Sequence, residues 1–272
     1  PDVNTNGKIM SWMVDAYENV VKHSAPGVFT GKPVEFGGSL ARTEATGYGV
    51  NFAAVQALEK LGKDVKGATY AIQGFGNVGY HTGYYAHKAG AKIVAVSTVD
   101  VAIYNENGLD MEAIIKEFQT KGFITNEAGY GKEISNAELL ALDVDVLAPC
   151  ALENQLTSEN AGKVRAKIVV EGANGPTTPE ADVILRQNGV LVVPDILANC
   201  GGVVVSYFEW VQNLQGYYWE FDEVQEKETV VLRRAFRDIW NLAQEYDVDL
   251  RTASYMMSIR RVEKAMKLRG WY

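Results

Sequence analysis

The sequence has little that would anchor a metal, a disulfide or a membrane. Only two cysteines and three histidines occur in 272 residues. Neither Cys150 nor Cys200 has a partner at metal-ligand spacing, which excludes zinc-binding and disulfide-framework classes. Both cysteines flank apolar stretches and read as buried free thiols, an arrangement suited to a reducing, cytoplasmic setting. No run of 18 apolar residues is present, so no transmembrane helix is expected. Basic residues are outnumbered 26 to 34, for a net charge of −8. That balance argues against a nucleic-acid surface and suits small-molecule chemistry. Internal repeats and low-complexity linkers are absent too. The chain opens on Pro1-Asp2 with neither a methionine nor a signal peptide and enters a helical pattern within a few residues, so it is expected to be part of something longer.

What is present is a globular composition, 47% hydrophobic and 22% charged, and one sharply defined motif. The run Y-A-I-Q-G-F-G-N-V-G at 70–79 is a short apolar strand leading into G-x-G-x-x-G. Gly74 permits a tight strand-to-helix turn, Gly76 lets the backbone approach a pyrophosphate, and Gly79 lets the next helix pack on the strand. Free N–H groups at that helix start favour phosphate. The context, a strand at 68–72, a helix at 77–89 and a strand at 92–97, turns a weak motif into a strong one.

The rest of the chain continues the alternation. Strands are expected at 144–148, 168–171 and 190–194, with helices at 110–121, 135–142, 157–164 and 178–188. Short, nearly continuous apolar strands between helices predict an α/β fold, a doubly wound, mainly parallel sheet of the Rossmann type. Before it lie a first helix capped by Asn4, Thr5 or Asn6, with Ile9, Met10, Met13, Val14, Tyr17, Val20 and Val21 on one face, and a loop at 27–41. A second helix follows at 43–61, with Val50, Ala54, Ala57, Leu58 and Leu61 inward. After Ile196 the pattern is helical throughout, at 199–215, 223–246 and 251–268. The organisation read from this is 1–66 as entering helices, 67–198 as the dinucleotide-binding core, and 199–272 as C-terminal helices. The aromatics Trp210, Tyr217, Tyr218, Trp219 and Phe221 read more readily as core than as an interaction face. The basic residues of the last helix read as a solvated face.

Several segments together resemble the glutamate dehydrogenase family of amino-acid dehydrogenases. They are P-D-V-N-T-N at 1–6, G-G-S-L-A-R-T-E-A-T-G-Y-G at 37–49, G-F-G-N-V-G at 74–79, E-G-A-N-G-P-T-T-P-E-A-D at 171–182 and P-D-I-L-A-N-C-G-G-V-V-V-S-Y-F-E-W at 194–210. The resemblance spans essentially the whole chain, and implies a nucleotide-binding half with C-terminal helices. Nothing in these residues matches the family's glycine-rich segment bearing the lysine that activates water or ammonia.

By this resemblance Asp2 is a proton shuttle at the substrate's amino group, a role that needs a group able to take and give a proton; it could otherwise be an N-cap. Arg42 and Thr46 match a segment contacting the nicotinamide carboxamide. Gly74, Phe75, Gly76, Asn77, Val78 and Gly79 match the dinucleotide turn, with Ala148 and Asn174 at strand ends where ligands gather. Asn199 matches a cofactor contact or serves as a helix cap. Ser206 matches the serine that receives glutamate's side-chain carboxylate, with Val203 against the methylenes, although a helix serine can instead bond its own backbone. A hydroxyl so placed suits glutamate and not leucine, valine or phenylalanine.

The resemblance implies hydride transfer from the glutamate Cα to a nicotinamide, then hydrolysis of the imine to 2-oxoglutarate and ammonia, with a homo-hexamer as the native assembly. NAD is expected over NADP. Ser97, Thr98 and Asp100 lie at the ribose end, and no Lys or Arg lies between Ile93 and Glu106. Two small hydroxyls there leave NADP use open. Without the lysine-bearing segment the chain alone is expected to bind dinucleotide and not to turn over glutamate. A non-catalytic dinucleotide-binding module, a leucine- or phenylalanine-type relative and an S-adenosylmethionine methyltransferase are the competing readings.

Overall fold

Alternation along short strands sends side chains into two separate cores. In the computed structural model, which describes residues 4–271, Tyr70 and Ile72 of β1 (Thr69–Gln73) face one hydrophobic cluster while Ala71 faces another. The same division runs through β2 (Lys92–Ser97), β5 (Val146–Pro149) and β6 (Ile168–Val170): Val146, Ala148, Ile168 and Val170 face one way, Leu147 and Val169 the other. Strands apolar on both faces must be covered on both faces, which demands helices on each side.

On the first face lie α2 (Ala45–Lys60), α3 (Asn77–Lys88), α4 (Met111–Lys121), α9 (Phe221–Tyr246) and α10 (Leu250–Leu268), contributing Val50, Leu58, Ile114, Phe236 and Ala253 to one cluster. On the second lie α5 (Asn136–Leu140) and α6 (Pro179–Gln187), with Leu139, Leu140, Ala181 and Leu185. Among the described residues the sheet has seven strands in the order β4-β3-β2-β1-β5-β6-β7, where β3 is Ala102–Tyr104, β4 is Lys132–Ile134 and β7 is Leu191–Val193. The pairs β2–β1–β5–β6–β7 are parallel. The chain winds one way from β1 through β2 and the other way through β5, so the C-terminal ends of β1 and β5 form the switch-point crevice where ligands bind in open α/β sheets.

The doubly wound, mainly parallel fold is as expected, and several details differ. Strands β3 and β4 pair antiparallel on the β2 edge; each is only three residues long, too short to leave a period in the sequence. Residues 157–164 hold a 3-10 turn at Ala161–Lys163 instead of an α-helix. There Asn160 accepts from the Thr157 N–H and donates to the Gln155 carbonyl, local bonds that compete with a helix. In α1 (Gly7–Val21), capped by Asn6, only Met10 and Val14 of the apolar face are buried, and Met13, Tyr17 and Val20 stay exposed. Leu61, expected inward, is exposed just past α2. The aromatic stretch is not core as expected. Gly216 ends α8 (Gly201–Gln215) in a left-handed conformation, so residues 217–220 are not helical, and Tyr217, Tyr218 and Trp210 are exposed. Trp219 and Phe221 do pack, against a small cluster of Ala41, Ala45, Val205, Phe208 and Val224.

Candidate functional site

The glycine turn is fixed by sterics at two positions and left open at the third. Gly74 has φ of +86°, and a Cβ on it would lie 2.6 Å from the Ala151 Cα. A Cβ on Gly79 would meet the Gly74 carbonyl oxygen at 1.9 Å, so nothing but glycine fits. At Gly76 nothing lies within 4 Å, and the first turn of α3 has no side-chain cap. Open space over uncapped helix N–H groups is what a pyrophosphate requires. Phe75 is buried edge-on against Tyr80 and Phe118, and belongs to the core. Asn77 donates through Nδ2 to the Thr43 carbonyl at 2.8 Å, tying the turn to the entrance of α2. Val78 lies against Gly172 and near Cys150, where a Cβ on Gly172 would sit 2.5 Å from Sγ. Burial pushes the Cys150 thiol up to about 12. Burial likewise raises Cys200, to about 11, so both cysteines are unreactive thiols.

At the end of β2 the two hydroxyls are already engaged. Ser97 is buried, and its Oγ accepts the Gly74 N–H at 3.1 Å while its carbonyl accepts Phe75 N–H at 2.6 Å. Thr98 Oγ1 accepts the N–H groups of Asp100 and Val101 in a tight turn and lies 3.4 Å from the Val101 carbonyl. Asp100 stands exposed at the tip.

Across the crevice, Ala148 is buried in β5 opposite Ile72. Beyond β6, Asn199 donates from Nδ2 to the Gly172 carbonyl at 3.3 Å and to Asn174 Oδ1 at 2.7 Å. Its side chain therefore does not cap α8, whose N-cap residue is Cys200 with no side-chain capping bond. The loop carrying Asn174 is held from below. Asp195, which opens α7 (Asp195–Ala198), accepts the Gly175 N–H at 2.8 Å and donates its own N–H to the buried Glu171 at 2.8 Å. Arg251 of α10 then reaches Glu171 at 2.6 Å and also pairs with Asp182 and Asp195. Burial pushes the Glu171 carboxyl up, against the pull of Arg251.

The first turn of α8 is packed from three sides. Thr46 Oγ1 and Arg42 Nη1 would lie 2.3 and 3.5 Å from a Cβ on Gly202. On its neighbour Gly201, a Cβ would lie 2.4 Å from Glu228 Oε1. Burial lowers the Arg42 pKa, while Glu209 and Glu228 act the other way. Glu228 is buried and driven up to about 8, first by desolvation and then by Glu44, with Arg42 opposing. Further along α8, Val203 is exposed, and the Ser206 hydroxyl pairs with Thr30 Oγ1. Asp2 lies outside the described residues. Thr30, Lys32, Glu209, Glu228 and Arg251 had no assigned part in the sequence reading. Only the acid in F-E-W, set between aromatics on an apolar helix, hinted at a buried charge.

A doubly wound Rossmann-type domain, with a glycine-rich turn at its switch point, is the class that this geometry defines. The chain belongs to the glutamate/leucine/phenylalanine/valine dehydrogenase family, whose model matches residues 37–270. The NAD-specific glutamate dehydrogenase of Clostridioides difficile is 54% identical over 277 residues, an alignment taking in 100% of this chain and 66% of that protein. The glutamate dehydrogenase crystal structure from Peptoniphilus asaccharolyticus matches with a TM-score of 0.86 at 44% identity, over 100% of this chain and 65% of that one. The Leu-bound hetero-hexameric glutamate dehydrogenase of Thermus thermophilus matches with a TM-score of 0.92 at 33% identity, over 100% of this chain and 64% of that one. The chain thus spans just under two-thirds of the length of these relatives.

Proposed function

We propose that this chain is the nucleotide-binding portion, with one wall of the substrate cleft, of an NAD-dependent glutamate dehydrogenase. The reaction is the reversible oxidative deamination of L-glutamate to 2-oxoglutarate and ammonia. The observation that carries the choice of substrate is Ser206. Its hydroxyl is turned away from its own helix and held by Thr30, while Val203 stands exposed one turn earlier. When Thr30 is the donor of that pair, the Ser206 proton is free for a carboxylate and would find no acceptor on the side chain of leucine or phenylalanine. Residues 67–198 serve as the dinucleotide-binding core.

The nicotinamide cofactor supplies the hydride acceptor when bound. This chain's residues orient the reactants. The Gly74–Gly79 turn receives the pyrophosphate, Asn174, Asn199, Arg42 and Thr46 line the nicotinamide side, and Val203 and Ser206 hold the glutamate side chain. Asp2 is assigned the proton at the amino group. For the ribose, the Ser97 and Thr98 hydroxyl oxygens accept backbone N–H groups, and Asp100 stands exposed just beyond them. The charge of Asp100 repels a 2′-phosphate and supports NAD over NADP. A homo-hexamer in a reducing cytoplasm is the assembly and setting that accompany this reading.

The lysine-bearing segment has no match here, so the 272-residue chain alone is expected to bind NADH more tightly than NADPH without sustaining glutamate oxidation. Calorimetric titration with both cofactors, beside NADH absorbance at saturating glutamate and NAD, checks this. Equal or tighter NADPH binding overturns the cofactor assignment. Steady turnover overturns the need for the missing segment, and failure to bind any dinucleotide overturns the reading as a whole.

A further inference from the structure

A helix serine normally satisfies itself on the carbonyl four residues back, as Ser254 and Ser258 do in α10. Ser206 instead pairs with Thr30, 176 residues away in sequence. Thr30 belongs to a loop with no regular structure of its own, since the nearest element is the 3-10 turn Val34–Phe36. Something must hold that loop in register against α8.

The restraint is a single carboxylate one turn further along the helix. Glu209 Oε2 accepts the Gly31 N–H at 2.8 Å. Its Oε1 accepts the Lys32 N–H at 3.3 Å and the Lys32 ammonium at 2.6 Å. The ammonium also donates to the Phe29 carbonyl at 2.8 Å. Both side chains of the pair are shut off from solvent, 0% and 1% exposed. The bonds therefore bracket Thr30 on both sides, at 29 and at 31–32. Two further side chains of α8 extend the seam: Asn213 donates to the Gly37 carbonyl at 2.8 Å, and Gln212 to Ser39 at 2.9 Å.

We infer that the buried Lys32–Glu209 ion pair is a positioning device for the substrate side of the cleft, fixing the 29–32 loop so that Thr30 orients the Ser206 hydroxyl toward the distal carboxylate of a dicarboxylic substrate. This rests on the assignment of Ser206 given above. Two hydroxyls sharing one hydrogen bond leave one proton to donate onward. When Thr30 donates to Ser206, the Ser206 proton is the free one, and its direction is set by the loop. A buried ion pair adds little net stability over an apolar pair of similar volume, but it specifies one arrangement, because either charge alone is costly. Neither residue of the pair needs to touch substrate.

The test uses a protein that carries this chain together with a lysine-bearing segment of the family, assayed with glutamate and 2-oxoglutarate, alongside NADH titration by fluorescence. Glu209→Ala is expected to raise KM for both substrates by roughly tenfold or more with kcat changed far less, the signature of lost binding shared by ground and transition states. NADH affinity is expected to be unchanged. Glu209→Gln keeps an acceptor for Gly31 and is expected to fall between wild type and alanine; it also serves where the alanine protein does not fold. Lys32→Met should reproduce the KM effect from the other side of the pair. An unchanged KM in folded variants overturns the inference and leaves the pair structural. Parallel loss of NADH and substrate affinity overturns it as well, by showing general collapse of the domain. If the wild-type protein binds NADH yet turns over no glutamate, the Ser206 assignment falls first and this inference with it.

Discussion

Individual glycines in the turn answer to different constraints, and substitution separates them. Gly79 has no room for a methyl because the Gly74 carbonyl stands 1.9 Å from where it would sit, whereas Gly76 faces open space. Gly79→Ala is therefore expected to destabilise the fold by about 1–3 kcal/mol, the usual cost of overpacking, and to weaken NADH binding. Gly76→Ala should unfold at nearly the wild-type urea midpoint and still bind NADH poorly, since its methyl enters the space left for phosphate. Equal stability loss in both proteins would refute the distinction. The motif was legible because its logic is local: a strand, three glycines and a helix within the 20 residues from Thr69 to Lys88. The engagement of the Ser97 and Thr98 hydroxyls was not. Both bond to backbone groups whose position depends on how β1 and β3 meet β2.

Between elements, Arg251 does for the Asn174 loop what Glu209 does for the 29–32 loop. From α10 it neutralises Glu171 at the end of β6, where the carboxylate is 0% exposed, and reaches Asp182 in α6 and Asp195 in α7. Arg251→Met strands that buried acid, at a cost on the order of 3 kcal/mol. Urea unfolding should show the loss, with NADH affinity falling because Asn174 is no longer backed by Asp195. A variant as stable as wild type would show the network to be dispensable. The long periodic helices and five parallel strands could be read from sequence, for apolar spacing is a local property. The pairs Lys32–Glu209 and Glu171–Arg251 could not, being separated by 177 and 80 residues and joined only by topology. The aromatic stretch differs from a core stripe because Gly216 ends α8 before it, and the non-helical residues that follow leave Tyr217 and Tyr218 exposed while Trp219 packs inward.

At the scale of the whole molecule, one buried acid sets part of the response to pH. Glu228 is buried at the meeting of α2, α8 and α9, its Oε1 has no hydrogen-bond partner, and its pKa stands near 8 instead of 4.5. The folded state thus holds a proton that the unfolded state releases above pH 4.5. Stability from this group is fully present below that value and is lost as pH rises toward about 8. Unfolding free energy is expected to decline by several kcal/mol across that window, and Glu228→Gln should flatten the decline without altering m. A slope unchanged in the variant would assign the dependence to other groups.

The sheet order carries a consequence for how the molecule comes into being. Strand β1 meets its neighbour β2 after a short excursion, with Tyr70 beside Ile93, but waits until Val146 for its other flank. A chain emerging from the ribosome therefore exposes the glycine turn long before there is a crevice for it to border. Closing so long a loop is slow and entropically costly. Cofactor capture can serve as a report that the two halves of the sheet have joined.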